Sequence, residues 1–175
     1  MIYKPVPTII SEIVSEVRSS VGLKNGAPYF DFGTTNEVVN RLMEKTNSPD
    51  LYSKKYPLIW MLINDALEED VQPKLATPRL FKDLTIIFCT ETKSEYTSAE
   101  RYEKTIMPIL RPLYESFMYY LGKNQSLISD NYNHGYYENL FWGRNGVYGR
   151  EGNVFNDRID AIIIDNLDLR VKQTC

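Results

Sequence analysis

Three stretches of this chain are apolar at consecutive positions rather than alternate ones, and no other feature narrows its possible folds as far. They are Pro57-Leu58-Ile59-Trp60-Met61-Leu62-Ile63, Leu84-Thr85-Ile86-Ile87-Phe88-Cys89 and Ile159-Asp160-Ala161-Ile162-Ile163-Ile164. A strand with one wet face alternates apolar and polar residues, whereas a strand without alternation is covered on both faces. The runs therefore predict buried strands, with Leu84–Cys89 at a central position. Beyond Ile164 the pattern changes, and Leu167, Leu169 and Val171 alternate with Asp168, Arg170 and Lys172. A final strand over Arg158–Lys172 is thus expected to be buried in its Ile run and half exposed at its end.

Helical spacing appears in three places. Ile9, Ile10, Ile13, Val14, Val17 and Val21 recur with polar residues between them, which predicts a helix from about Pro7 to Ser20 or Val21. Its β-branched content lowers helix propensity, so docking must stabilise it. A short strand over Tyr29–Gly33 leads into a helix capped by Thr34 or Thr35, striped by Val38, Val39, Leu42 and Met43, and stopped at Asn47-Ser48-Pro49. The longest helix is expected from about Ser98 to Leu121. Thr97-Ser98-Ala99-Glu100 matches a capping box, and Pro108 and Pro112 inside the pattern should bend or split the helix. Tyr136–Trp142 could form one more strand.

This order lacks a βαβαβ rhythm, so a mostly antiparallel sheet with helices packed on one face fits best, an α+β class. At 175 residues the chain is read as a single domain, 1–175, with long loops at about 64–80 and 143–156. A net charge of −3 without a basic stripe gives nucleic-acid binding little support. Two cysteines, Cys89 and Cys175, are too few for a disulfide scaffold and point to a reducing compartment. No signal-peptide pattern opens the chain and no stretch is apolar for the ~20 residues that span a bilayer, so the expected place is the cytoplasm, with no membrane partner.

The polar residues form no chemically armed constellation. His134 stands alone in a turn-like context, and neither cysteine has metal-ligand spacing, so neither a metal nor a cofactor is expected. Gly143-Arg144-Asn145-Gly146-Val147-Tyr148-Gly149 lacks the lysine and hydroxyl of a phosphate loop. It reads either as a loop needing positive φ or as a finger presenting Trp142, Arg144 and Tyr148 to a partner. Glu68-Glu69-Asp70 reads as a solvated charge run. Asp157 and Asp160, at the entry to the last strand, read as capping or salt-bridging residues, and Cys89 as an inert core thiol. Tyr119 is a possible surface contact, and Tyr114 and Tyr120 belong to the core edge.

The order of segments resembles the tail-completion or head-to-tail connector proteins of tailed phages, especially those of Bacteroidetes phages. The resemblance rests on Phe32-Gly33-Thr34-Thr35-Asn36-Glu37-Val38; on Lys55-Tyr56-Pro57-Leu58-Ile59-Trp60; on Leu84-Thr85-Ile86-Ile87-Phe88 followed by Ser98-Ala99-Glu100-Arg101; and on Phe141-Trp142-Gly143 followed by Phe155-Asn156-Asp157-Arg158-Ile159-Asp160-Ala161-Ile162. It spans about residues 7 to 172. It implies a tail-terminator-like, ring-forming virion protein without catalytic residues, placed in the neck or tail after assembly in the host cytoplasm. Its partners would be copies of itself, the portal or connector proteins and the tail tube, and genomic DNA would pass through the ring without sequence-specific binding. The loops Asp50–Lys55, Leu67–Leu80 and Gly143–Gly152 would make ring and axial contacts. The candidate interface residues are Tyr52, Lys54, Lys55, Arg79, Trp142, Arg144, Tyr148 and Arg150. The terminal strand could pair with a neighbour's edge. Two other readings stay open: a small hydrolase using Asp157, Asp160 and His134, and a monomeric protein-binding adaptor.

Overall fold

The computed structural model describes residues 2–22, 26–63, 68–70, 78–128, 131–143 and 157–174. Its helices start where the sequence supplies reciprocal caps. Thr34 accepts from the Glu37 amide while Glu37 accepts from the Thr34 amide, opening helix α2 (Thr35–Asn47). Thr97 and Glu100 repeat the device and open α4 (Ser98–Arg101). Helix α1 (Val6–Ser20) has a proline in its first turn instead. A single turn, α3 (Pro49–Tyr52), follows α2.

The two prolines of the long helix neither split it nor leave it regular. After α4 the ladder widens to π-helical bonding over Tyr102–Leu110, with Pro108 inside, and narrows again at α5 (Arg111–Lys123), whose first turn takes Pro112. At the junction the Arg111 amide bonds to the Ile106 carbonyl, five residues back.

The strands are β1 (Ile2–Tyr3), β2 (Tyr29–Gly33), β3 (Leu58–Leu62), β4 (Glu68–Asp70), β5 (Arg79–Glu91), β6 (Gly135–Gly143), β7 (Arg158–Val171) and β8 (Gln173–Thr174). The main sheet runs β2-β3-β5-β7-β6, with β4 also paired to β5, and β1 and β8 form a separate two-stranded ribbon. Among the described strands only β2 and β3 are parallel, joined through α2 and α3, and the other pairs are antiparallel. The α+β class with a mostly antiparallel sheet therefore holds.

Three details differ from the sequence expectation. Glu68–Asp70 is a strand on the edge of β5 rather than part of a loop, so extended backbone pairing overrides the local charge. The terminal strand β7 is interior, paired to β5 on one side and β6 on the other, so it has no edge for a neighbour. The helices are not all on one face. α1, the π-helical segment and α5 cover one face through Ile9, Ile13, Ile106, Leu113 and Phe117, against Ile59, Phe88 and Ile162. α2 covers the other through Val38 and Leu42, against Leu58, Trp60 and Ile87. That is why the β3 and β5 runs lack alternation: consecutive residues enter two cores. Each fully buried Ile or Leu contributes about 2 kcal/mol of transfer free energy. The far end of β7 alternates as expected, with Leu167, Leu169 and Val171 buried between exposed Asn166, Asp168 and Arg170.

Candidate functional site

The polar residues concentrate where β5 ends, β7 begins and β6 ends, and two buried ion pairs lie there. Asp160, fully enclosed in the otherwise apolar β7 run, faces Arg101 at the start of the long helix, 3.5 Å from Nη1. It also accepts from the Phe141 amide at 2.7 Å. The Thr105 hydroxyl lies 2.6 Å from Asp160 Oδ2 and 2.5 Å from the Arg101 carbonyl, so its single proton serves one oxygen at a time. Arg101 donates further to Thr92 Oγ1 at 2.8 Å and to the Lys93 carbonyl at 2.7 Å, and its guanidinium stacks 4.4 Å from the Phe141 ring. Phe141 sits at a break in the β6–β7 register with φ of 54°, a left-handed conformation that a bulky residue holds only under compensation. The Asp160 carboxylate on its amide and the Arg101 cation on its ring provide that compensation.

The second pair is Lys55 and Asp157, 2.6 Å apart. Lys55 also donates to Thr46 Oγ1 at 2.6 Å, and its ammonium lies 5.5 Å and 5.6 Å from the Tyr52 and Tyr56 ring centroids. Tyr56 donates its hydroxyl to Asp157 at 2.8 Å. Burial, followed by the nearby Cys89 and Asp157, pushes the Tyr56 phenol well above its ordinary value. Expecting Lys55 in an exposed loop at an interface is therefore incorrect: the residue is 3% exposed, and an aspartate far along the chain neutralises it in place. The capping and salt-bridging readings of Asp157 and Asp160 hold.

The remaining candidate interface residues do not share one surface. Tyr52 is exposed and its hydroxyl lies 3.4 Å from Glu91 Oε1. Lys54 is exposed nearby and offers its carbonyl to Lys45. Arg79 lies at the opposite end of β5, paired to Glu69 at 2.7 Å and stacked 4.1 Å over Tyr3. Ten residues of β5 separate that end from Cys89, about 33 Å of extended chain. Trp142 belongs to β6, opposite Ile159. Arg144, Tyr148 and Arg150 lie outside the described residues.

The triad of the hydrolase reading does not converge. His134 bonds through Nε2 with the Tyr114 hydroxyl at 3.0 Å and through Nδ1 with the Tyr132 carbonyl at 2.6 Å. Its neighbour Gly135 pairs with Asp165, five residues along β7 from Asp160 and so about 17 Å from it. Among the described residues no group of His, Cys, Asp and Glu side chains is arranged to hold a metal ion. Nor is any described helix long and apolar enough to cross a membrane.

The two edges of the main sheet differ. Tyr29 donates to Pro57 and Gly33 accepts from Ile63, so alternate residues of β2 bond inward and Phe30 and Phe32 direct their backbone groups outward. Phe32 is capped on both: its amide donates to Asp31 Oδ1 at 2.9 Å, and its carbonyl accepts from Arg41 Nη2 at 2.6 Å. Asp31 and Arg41 are themselves paired at 2.8 Å. The other edge, β6, pairs only with β7 among the described residues. Its sequence, Gly-Tyr-Tyr-Glu-Asn-Leu-Phe-Trp-Gly, has no lysine or proline and a single charge, Glu138. Hydrogen bonds from Tyr136, Tyr102 and Arg111 outweigh burial and hold the Glu138 carboxyl below its ordinary value. Tyr136 and Tyr137 are 38% and 51% exposed. Sequence reasoning did not single out Arg101, Thr105 or Tyr137. The available signal was the lone carboxylate of Asp160 in a buried strand, which demands a partner.

Comparison with protein-family models, with curated proteins and with solved structures finds no match for this chain.

Proposed function

We propose that this chain is a non-enzymatic ring subunit of a tailed-phage neck, a head-to-tail connector or tail terminator joining portal to tail. The observation that carries the reading is the contrast between the two sheet edges. Native proteins blunt exposed edge strands with charge, proline, bulges or cover, because an open row of amides and carbonyls templates pairing with another chain. β2 carries such a device in Asp31 and Arg41. Among the described residues β6 has the Phe141 bulge and one charge, Glu138, which is paired to Arg111, and Gly135–Asn139 remains a regular, aromatic edge with no partner strand beyond β7. An extended segment of a neighbouring subunit would add to that edge, with Tyr136 and Tyr137 as contact area. The receiving edge and the donated segment are then different parts of the molecule, and a head-to-tail contact of that kind closes into a ring. The order of sequence motifs supports the same reading.

Size-exclusion chromatography with light scattering, followed by negative-stain microscopy, tests it. A closed multimer is expected, and Tyr137→Lys should dissociate it by placing a charge at the centre of the open edge. A strict monomer at the highest soluble concentration would count for the adaptor reading instead. A ring indifferent to Tyr137→Lys would remove β6 from the interface.

A further inference from the structure

β6 begins with a notch at the edge of the main sheet. A side chain at Gly135 would collide with Asp165 Oδ1, and would come within 2.8 Å of Tyr137 Cε2 and 3.0 Å of the Tyr137 hydroxyl oxygen. Asp165 lies opposite Gly135 on β7, so its carboxylate reaches over the glycine, and the Tyr137 ring leans back to the same spot. We infer that this notch receives a lysine or arginine side chain from the extended segment that adds to β6, an assignment that rests on the edge pairing proposed above.

The charge of Asp165 carries most of the argument. The residue is half-buried, and its Oδ1 accepts from Asn166 Nδ2 at 3.0 Å. Among the described residues no cation lies within ion-pair distance of it. A strand added beside Gly135 would cover this carboxylate, and a covered charge without a counter-charge is costly. A segment that sets an apolar or acidic residue opposite Gly135 would incur that cost. One that sets a basic residue there supplies the missing counter-charge. Asp165 thus discriminates among the segments that main-chain pairing alone would accept.

The rest of the notch suits a long basic side chain. Tyr137, 51% exposed, offers its ring to a cation. Ile163, opposite Tyr137 on β7 and only partly buried, gives the aliphatic stem apolar surface. Glu138, the single charge of β6, does not compete for the cation. Its side chain leaves from the other face of the strand, and Tyr136, Tyr102 and Arg111 already engage it. Gly135 keeps the site open, as glycine does where another chain must approach closely.

The experiment titrates two fluorescein-labelled strand peptides with the full-length protein, below the concentration at which it assembles, and reads anisotropy. One peptide is Val-Thr-Lys-Thr-Val and the other has glutamine at its centre. The lysine peptide should bind about tenfold more tightly, the worth of one charge-assisted hydrogen bond. The gap should narrow as sodium chloride rises. Asp165→Asn, which keeps the shape of the side chain, should close it. The inference is overturned if the two peptides bind alike, if neither binds, or if Asp165→Asn retains the preference. Light scattering separates this outcome from ring assembly. A monomer that prefers the lysine peptide keeps the basic-residue site and loses the ring, whereas a ring-former without that preference keeps the ring and loses the site.

Discussion

Asp160→Ala perturbs the buried polar network at its centre, and the structure sets the size of the effect. Removing the carboxylate leaves the guanidinium of Arg101, 5% exposed, without its counter-charge. Stripping one partner from a buried ion pair costs about 3–5 kcal/mol. The lower end applies here, because the pair is long at 3.5 Å and Arg101 keeps Thr92 Oγ1 and the Lys93 carbonyl. The Phe141 amide also loses its acceptor, which adds about 1 kcal/mol. The expected loss is about 4 kcal/mol, a large share of the roughly 5–15 kcal/mol that holds a domain folded. The melting temperature should fall by about 8–16 °C for a chain of this size. Urea unfolding followed by circular dichroism measures it, with Arg101→Met and the double variant completing a cycle. The double variant should recover much of the loss, since removing both charges leaves no orphaned charge, while the Phe141 amide stays unpaired. A loss under about 1 kcal/mol for Asp160→Ala, or additive single variants, would refute the assignment of this pair as a coupled buried unit.

Lys55→Met should cost about 3 kcal/mol by orphaning Asp157, with Asp157→Asn restoring part of it in the double variant, read from the same unfolding curves. Thr97→Ala should cost about 1 kcal/mol of stability through loss of the cap. The Glu100 carboxyl, held at about 2 chiefly by the Thr97 amide and then by Lys104 and the Thr97 hydroxyl, should then rise while staying depressed, since the variant loses only the hydroxyl, as ¹³C NMR of the carboxyl would record. Because its folded value is depressed, Glu100 stabilises the fold above pH 4.5 and ceases to as pH falls toward 2. The alanine variant should therefore lose less stability across that window than the parent. Cys89, its thiol raised by burial and secondarily by Asp157, should resist Ellman's reagent in the folded protein and react only on unfolding. Prompt native reaction at Cys89, read in a Cys175→Ser background, would contradict its placement in the core.

Much of the fold is legible because its signals are local. Helix α1, strand β2, the capping boxes at Thr34 and Thr97, and the doubly covered runs of β3, β5 and β7 follow from spacing and cap chemistry within a few residues. What is less legible depends on distant partners. Nothing near Lys55 in sequence announces Asp157, so its polar surroundings suggest an exposed loop. Pro108 signals disturbance in the long helix without specifying a π-helical ladder as its form. The apolar character of β7 fits an interior or a terminal position equally well, and only the pairing of β6 outside it decides. The exposed tyrosines at 136 and 137 look no different in sequence from the half-buried ones at 114 and 120.

The interior position of β7 carries a consequence for how the protein is made. The strand that bridges β5 and β6 follows both of them in the chain and so leaves the ribosome after them. Until it emerges, β2, β3 and β5 can pair, but the β7 side of β5 has no partner strand. The complete sheet must therefore wait for β7 to emerge, and contacts this remote in sequence form slowly. A nascent chain stalled before Arg158 would present adhesive strands to its neighbours, so cellular yield should depend on chaperone capacity as much as on the stability of the finished fold.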